Sequence, residues 1–588
     1  MPNVPSESSQ QAAPGPEAAT TGAAPPGAGP PGSARFARAC GALWVVASLG
    51  VCGWLLARLT GFDYGLDQGI YAVVADVMWW GGAPYRDAWD FKPPGIFFAY
   101  ATARAVFGDA MNSVRWLEAA GLVSLIAASA VYARRFAGSV WPGLLGGALA
   151  VSGHVWMGFW HTAQPESFGV VLIAWALVLA TTPAATARER WLQSLGHAAA
   201  GAAYALAALL KPPLGGGILV SFAFAARLAA REAPPGARVR AILRPGLAFG
   251  LGAAAPLLAA LAWFAAKGAT GDLYQALFVF APGYTAINYR SGDLPGFALR
   301  SVEILLLRFS WLSPLGLALL FALPRLAPRE REGFLHVLGV MGVCLAGVAL
   351  QGRFFAYHYG AVVPLLALVA GWGLWKLTLV RFGRRFAMGS IALGAALFLL
   401  ANANGLAGRN PGGLLARIRT LDAGNAYTAP QRRVAAWLRA HTRDGDAIHV
   451  FGFQPMVYDL ADRRPASRFI YNAPQRAPWF AERGRDLLMR ELREDPPAAI
   501  LIEHGDVHPG TAGTDLDSAA TLERFPRLAW FLARHYDEGE RVEAFTIHRR
   551  KAAGPSPPPA TATPTPPAAT APATPTPREP RELPSDME

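Results

Sequence analysis

Cysteine is nearly missing from this chain. Cys40, Cys52 and Cys344 are the only three in 588 residues, and each lies in an apolar stretch. That excludes a disulfide framework and supplies no metal-ligand spacing. Charge is sparse as well, with Asp, Glu, Lys and Arg making up 16% of the residues. No Walker motif, H-E-x-x-H or G-x-S-x-G stands at a sensible position. Gly452-Phe453-Gln454-Pro455 follows a strand-like run but lacks G-x-G-x-x-G, so it offers no nucleotide site. Residues 1–34 hold no Lys or Arg and no apolar run. A cleaved signal peptide would open on charge followed by a short apolar core, so this is not one. Its Pro, Gly, Ala, Ser and Gln predict a disordered cytoplasmic tail, and the Pro-, Ala- and Thr-rich residues 551–588 predict a second one.

What the chain has in quantity is apolar sequence. Hydrophobic residues make up 53%, and the mean hydropathy is +0.26. That suits a polytopic membrane part joined to a soluble part. The net charge of +13 does not point to nucleic acid, because most of the Arg sits in short loops between apolar runs. Spans are predicted near Cys40–Thr60, Ser113–Phe136, Val140–Phe159, Ser167–Thr182, Pro245–Ala266, Val302–Leu323, Gly333–Leu350, Phe355–Leu377 and Ala387–Leu406. A hairpin over Leu195–Leu210 and Leu214–Ala230 brings the total to about eleven transmembrane helices. Ile96–Phe107 is apolar but short, as interfacial segments are. With a cytoplasmic N-terminus, the inner loops collect Arg35, Arg38, Arg134, Arg135, Arg329, Lys376 and their neighbours, and the outer loops hold about half as many cations. Merging the hairpin into one span would destroy this asymmetry.

The expected organisation is a transmembrane part over 35–406, a first external loop over 61–112 and an extracytoplasmic α/β domain over 407–550. In the last of these, short runs at Ala447–Gly452, Arg468–Tyr471, Ala498–Glu503 and Val542–His548 read as strands. They alternate with helical patterns at Arg432–Ala440, Arg485–Glu494 and Leu522–His535.

Polar chemistry concentrates in the first external loop, where Asp63, Asp67, Asp76, Asp87 and Asp90 lie among Tyr64, Tyr71, Trp79, Trp80, Tyr85 and Trp89. If the run from Ile70 to Trp80 is helical, Asp67 and Tyr71 share a face. Asp67 is then either a helix N-cap or a general base that deprotonates an acceptor as it attacks a sugar. The rings suit sugar stacking and equally an interfacial aromatic belt. Lys92-Pro93-Pro94 is echoed by Lys211-Pro212-Pro213 on the same outer side. Each lysine is either a snorkelling anchor or a phosphate-binding point charge. Glu166 stands at the outer end of an apolar helix, where a carboxylate is costly unless it faces protein or water. His161 and Glu166 are candidate metal ligands, but two residues do not make a site. Gln351 to Tyr359 is another polar-aromatic cluster on the outer side, and its Arg353 is either a bidentate ligand for a phosphate or carboxylate or an anchor for the helix end.

In order along the chain come an external Asp67-x-x-x-Tyr71 helix, Gly82-x-Pro84-Tyr85-x-Asp87, Lys92-Pro93-Pro94, Arg115 opening a span, Glu166 and Lys211-Pro212. This order resembles the GT-C membrane glycosyltransferases. Within them it is closest to the glycosyltransferase family 39 kind, which includes protein O-mannosyltransferases and bacterial aminoarabinose transferases. The resemblance covers about residues 40–400. It implies an inverting transfer from a polyprenyl-phosphate sugar to an extracytoplasmic lipid, polysaccharide or protein, in the bacterial plasma membrane. Asp67 would be the catalytic carboxylate. Tyr71, Tyr85, Asp87, Asp90, His161 and Glu166 would line the substrate, and Lys92, Lys211, Arg115 and Arg353 would hold the lipid phosphate. Two positions depart from the pattern. Gln68 follows Asp67 where many relatives have a second acid, and Phe91 precedes Lys92 where the aminoarabinose subgroup has a metal-binding Glu. A divalent metal and that particular sugar are therefore not carried over.

Two other function classes fit the sequence less well. A transporter or flippase of lipid-linked glycans should place ionisable groups near the bilayer midplane, whereas the polar residues here gather at the outer ends of the spans. An assembly protein anchored by its helices would need fewer spans and leaves the first loop unexplained.

Overall fold

The computed structural model describes residues 31–184, 186–287, 294–309, 312–378 and 423–551. Both tails, apart from Pro31 to Ala34 and Lys551, lie outside these residues, as does the span expected over Ala387–Leu406. The first helix, α1 (Pro31–Leu59), takes in the last four residues of the expected 1–34 tail.

The helical body continues through α2 (Leu66–Trp79), α3 (Gly95–Phe107), α4 (Ser113–Ala137), α5 (Trp141–Trp156), α6 (Pro165–Ala180), α7 (Ala187–Leu210), α8 (Gly217–Glu232) and α9 (Arg238–Ala266). The short α10 (Thr270–Tyr274) and α11 (Ala281–Ala286) follow, then α12 (Leu294–Arg308), α13 (Ser313–Ala322), α14 (Pro328–Gln351) and α15 (Val362–Thr378). Among the described residues five stretches are long and apolar enough to cross a membrane: Gly41–Leu59, Ser113–Ala137, Pro212–Glu232, Pro235–Ala266 and Pro328–Gln351. Close helix packing rests on small residues. A Cβ on Gly143 would lie 2.1 Å from the Ser129 carbonyl oxygen, which clamps α5 to α4.

One expected span is broken. Val302–Leu323 is divided between α12 and α13, with Leu312 capping the second helix and Pro314 in its first turn. A proline there has no N–H to continue the preceding ladder.

The C-terminal part carries a five-stranded mixed sheet in the order β2-β1-β3-β5-β4. Its strands are β1 (Ala447–Phe451), β2 (Arg464–Pro465), β3 (Ala499–Glu503), β4 (Glu540–Val542) and β5 (Phe545–Arg549). β1 pairs in parallel with β2 and β3, while β5 runs antiparallel to both β3 and β4. Every residue of β1 and β3 is buried, as expected of strands covered on both faces. Helix α16 (Asn425–His441) leads in, and α17 (Met456–Ala461) follows β1. The strand expected at Arg468–Tyr471 does not form. The Arg468 carbonyl accepts the Trp89 N–H at 2.6 Å, and its own N–H goes to Glu491 at 3.0 Å, so the segment is drawn off the sheet by the first loop and a neighbouring helix. The single helix expected over Leu522–His535 is two, Ser518–Glu523 and Pro526–His535, because Pro526 starts a new one.

The sheet unit sits directly on the first loop. A Cβ on Gly69 of α2 would lie 2.9 Å from the Met456 Cβ of α17. Arg104 at the end of α3 pairs with Asp76 of α2 and with Asp459 of α17, the latter at 2.6 Å. One hydrophobic core therefore runs from Tyr71, Trp89 and Phe97 through to Phe451, Ile500 and Phe531.

Candidate active site

The site is built where the N-terminus of α2 meets the two Lys-Pro-Pro breaks. Gly65 caps α2, and its N–H is received by the Gln68 side chain at 3.0 Å. The cap role is thus filled without Asp67. Among the described residues the only ion pair of Asp67 is to Lys92, at 4.0 Å between Oδ2 and Nζ, and both side chains keep some solvent access. Gln68 is fully buried, and its amide nitrogen donates to the carbonyls of Phe159, Trp160 and Thr162 at 3.1, 3.1 and 2.7 Å. A carboxylate in its place would face three carbonyl oxygens, which accounts for an amide where an acid was expected.

The two lysines meet through a glycine. Gly95 opens α3, and a Cβ there would lie 2.6–2.7 Å from the backbone of Leu209 and Leu210 at the end of α7. Lys211 follows directly, so the absence of a side chain at 95 lets the two lysine-bearing turns approach until each lysine feels the other's charge. Gly95→Ala is expected to part α3 from α7 and destabilise the protein by about 1–3 kcal/mol. Thermal unfolding checks it.

Lys211 is paired with the buried Glu166 at 2.5 Å, and its ammonium lies 5.4 Å from the Tyr357 ring centroid. Among the described residues the other Glu166 oxygen has no hydrogen-bond partner. Burial works against the Lys92 charge, but Tyr357, Asp67, Tyr284 and Asp90 together outweigh it, and the ammonium holds its proton more tightly than a free lysine. Asp90 is buried and accepts the Tyr471 hydroxyl at 2.8 Å. Burial raises its pKa to about 6, against the opposing pull of Lys92 and that hydrogen bond. His161 lies 6.0 Å ring to ring from Tyr357. His358 packs edge-on against Tyr357, with ring centroids 4.6 Å apart.

Other expected ligands are committed elsewhere. Arg115 is fully buried, and its five N–H groups meet Phe62 O, Glu118, Thr162 Oγ1, Asp63 O and Phe159 O at 2.8–3.3 Å. All its donors are spent on the protein, and Arg115 ties the turn into α2 to the 159–163 segment. Asp87 accepts the Ala83 N–H at 2.7 Å and pairs with Arg86, which closes a local turn. Arg353 donates to Gly510 O at 2.6 Å and Tyr284 O at 2.9 Å and stacks 3.8 Å from the Tyr284 ring centroid. It fastens the sheet unit to the helical body. Tyr71 and Tyr85 are buried; their hydroxyls reach Gln164 at 3.3 Å and the Lys92 carbonyl at 2.8 Å.

Backbone strain gathers here. Tyr85, Ala163 and Phe354 adopt left-handed φ of 69°, 53° and 51°. Each costs about 1–3 kcal/mol, which packing elsewhere must offset. Ala163 is held by its N–H to Glu118 at 2.5 Å and its carbonyl to Tyr100 at 3.0 Å.

Sequence reasoning missed Tyr471, Tyr284 and Tyr427. Tyr427 packs edge-on against Trp160, with ring centroids 5.0 Å apart, and bonds Gln454 at the end of β1. No local pattern marks these residues, because each arrives from a distant part of the chain. Among the described residues no three His, Cys, Asp or Glu side chains converge as a metal needs. Gln68 is fully used and Phe91 offers no side-chain donor atom, so the residues present do not fit the metal of the aminoarabinose subgroup.

Two solved structures are similar along nearly their whole length. ArnT from Cupriavidus metallidurans in the apo state matches with a TM-score of 0.55 at 15% identity, covering 87% of this chain and 99% of that one. The same protein bound to undecaprenyl phosphate matches at 0.53, again with 15% identity and 87% and 99% coverage. An oligosaccharyltransferase from Archaeoglobus fulgidus, tethered to an acceptor peptide, overlaps at only 0.43 with 13% identity, over 87% of this chain and 74% of that one, and carries no argument. No family model and no curated protein matches the sequence. The chain has the GT-C fold of the membrane glycosyltransferases.

Proposed function

We propose that this GT-C chain is an integral membrane glycosyltransferase of the bacterial inner membrane. It moves a sugar from a polyprenyl-phosphate donor to an extracytoplasmic acceptor, with inversion at the anomeric carbon. The observation that carries the reading is Asp67 at the mouth of α2, free of any capping bond, with Lys92 4.0 Å away and the Lys211–Glu166 pair nearby.

In the proposed reaction Asp67 takes the proton of the acceptor hydroxyl or amine as that atom bonds to the anomeric carbon. The bond from that carbon to the phosphate oxygen breaks, and its electron pair stays on the phosphate. Lys92 meets the growing phosphate charge, which is greater in the transition state than in the bound donor. Lys211 shares its charge with Glu166 at 2.5 Å, so Lys92 is the more available cation. The aromatic wall of Trp160, Tyr357 and Tyr427 limits water, which would otherwise take the sugar.

The test is reconstitution of the full chain in liposomes with a panel of polyprenyl-phosphate sugars and lipid, polysaccharide and peptide acceptors. Release of polyprenyl phosphate together with a glycosylated acceptor, read by mass spectrometry, is expected for one donor. Hydrolysis alone, or no turnover with any donor, counts against the reading.

A further inference from the structure

A cavity of about 580 Å³ lies at the far end of α4, a 25-residue helix away from the candidate active site. At 1.5 Å per residue that is about 37 Å, the thickness of a membrane. We propose that this cavity binds a phosphate-bearing anion, either a phospholipid headgroup or a soluble phosphate. The proposal does not depend on the reaction above.

The cavity lies between the last turn of α4 and the first turn of α14. Arg134, Arg135, Arg329 and one acid, Glu330, line it, with Val131 and Phe136 as its apolar flank. Arg135 is fixed by bonds to Val178 O at 2.5 Å and Thr181 Oγ1 at 2.6 Å. Among the described residues the side chains of Arg134 and Arg329 have no hydrogen-bond or ion-pair partner. The nearby acids are taken: Glu330 pairs with Lys376, and Glu332 with Arg227 at 2.9 Å and Arg231 at 2.7 Å. Arg135 and Arg329 are close enough to repel one another.

Helix chemistry explains Arg134 and Arg135 but not Arg329. Cations in the last turn of α4 complement its dipole. Arg329 stands in the first turn of α14, where the dipole already presents positive charge. Glu330 beside it accepts the Ala327 N–H at 3.3 Å and pairs with Lys376, so its charge is already shared. Arg329 has no partner among the described residues and lies near another arginine, an arrangement that an incoming anion relieves. The forked guanidinium groups are the donors a phosphate uses. The apolar flank of Val131 and Phe136 suits a molecule whose other end is hydrocarbon.

Native mass spectrometry of the full chain released from nanodiscs tests this. The probes are phosphatidylglycerol and cardiolipin in a phosphatidylcholine background, with inorganic phosphate and glycerol phosphate as soluble competitors. Wild type is expected to retain one anionic lipid, or one phosphate, in preference to phosphatidylcholine. R134Q/R329Q should weaken retention by roughly thirtyfold, from about 1 kcal/mol per arginine. Both arginines are exposed, so the double variant is expected to fold, which its unfolding temperature checks. Displacement by millimolar phosphate identifies a soluble ligand, and resistance to it identifies a headgroup; either result supports the site. R240Q, an exposed control, should leave retention unchanged. Equal retention by wild type and R134Q/R329Q, equal loss in R240Q, or no preference over phosphatidylcholine overturns the proposal.

Discussion

Asp67→Asn is expected to lower the rate of sugar transfer about a hundred- to ten-thousandfold, the usual worth of a positioned general base. The change is nearly isosteric, so the pocket keeps its shape. It removes the ability to take a proton and the charge that faces Lys92 at 4.0 Å. Stability should change little, because Gly65 and Gln68 cap α2 without help from Asp67. The loss should fall on kcat, with donor affinity unchanged or tighter, since Lys92 no longer faces a competing carboxylate. Single-turnover transfer in liposomes, with a separate donor-binding titration, resolves the two. Near-wild-type transfer by Asp67→Asn would sink the assignment of the base.

Arg115→Met is expected to cost about 3–5 kcal/mol of stability, the range for removing one partner of a buried ion pair. It deprives the Phe62, Asp63 and Phe159 carbonyls of their donor and leaves Glu118 with only His154 and the Ala163 N–H. Those carbonyls shape the turn into α2 and the 159–163 segment that receives Gln68, so activity falls with the fold. Lysine should not rescue it, because three donors on one ammonium cannot reproduce the planar fork. Thermal unfolding in detergent reads the effect. A variant with a wild-type unfolding temperature and weakened donor binding would instead return Arg115 to the phosphate.

The contrast between Lys92 and Arg115 shows where local reading stops. Both are cations near an outer helix end, and both fit one motif order. Which one can meet a ligand depends on whether its donors are already spent. Arg115 spends all five on partners from three separate stretches of chain, whereas among the described residues Lys92 makes one ion pair, at 4.0 Å. Asp67 and Asp87 divide in the same way: one is left free by a neighbouring cap, and the other is consumed by its own turn. The break at Pro314 was local and legible in principle, but the apolar run across it hid the interruption.

The sequence by itself determined the apolar helices from α4 to α9, the two Lys-Pro-Pro breaks and the strands β1 and β3. Each depends on residues close together in the chain, through hydrophobic length, proline's missing N–H and β-propensity. Only the tertiary structure decided that Gly95 docks on Leu209, bringing the two lysine-bearing turns together. It likewise brought Tyr471 to Asp90 from 381 residues away and turned the Gln68 amide onto three carbonyls. The physical reason is that helix formation is governed by near neighbours. A site is governed by which hydrogen-bonding groups remain unspent once distant segments have packed, and no local pattern records that.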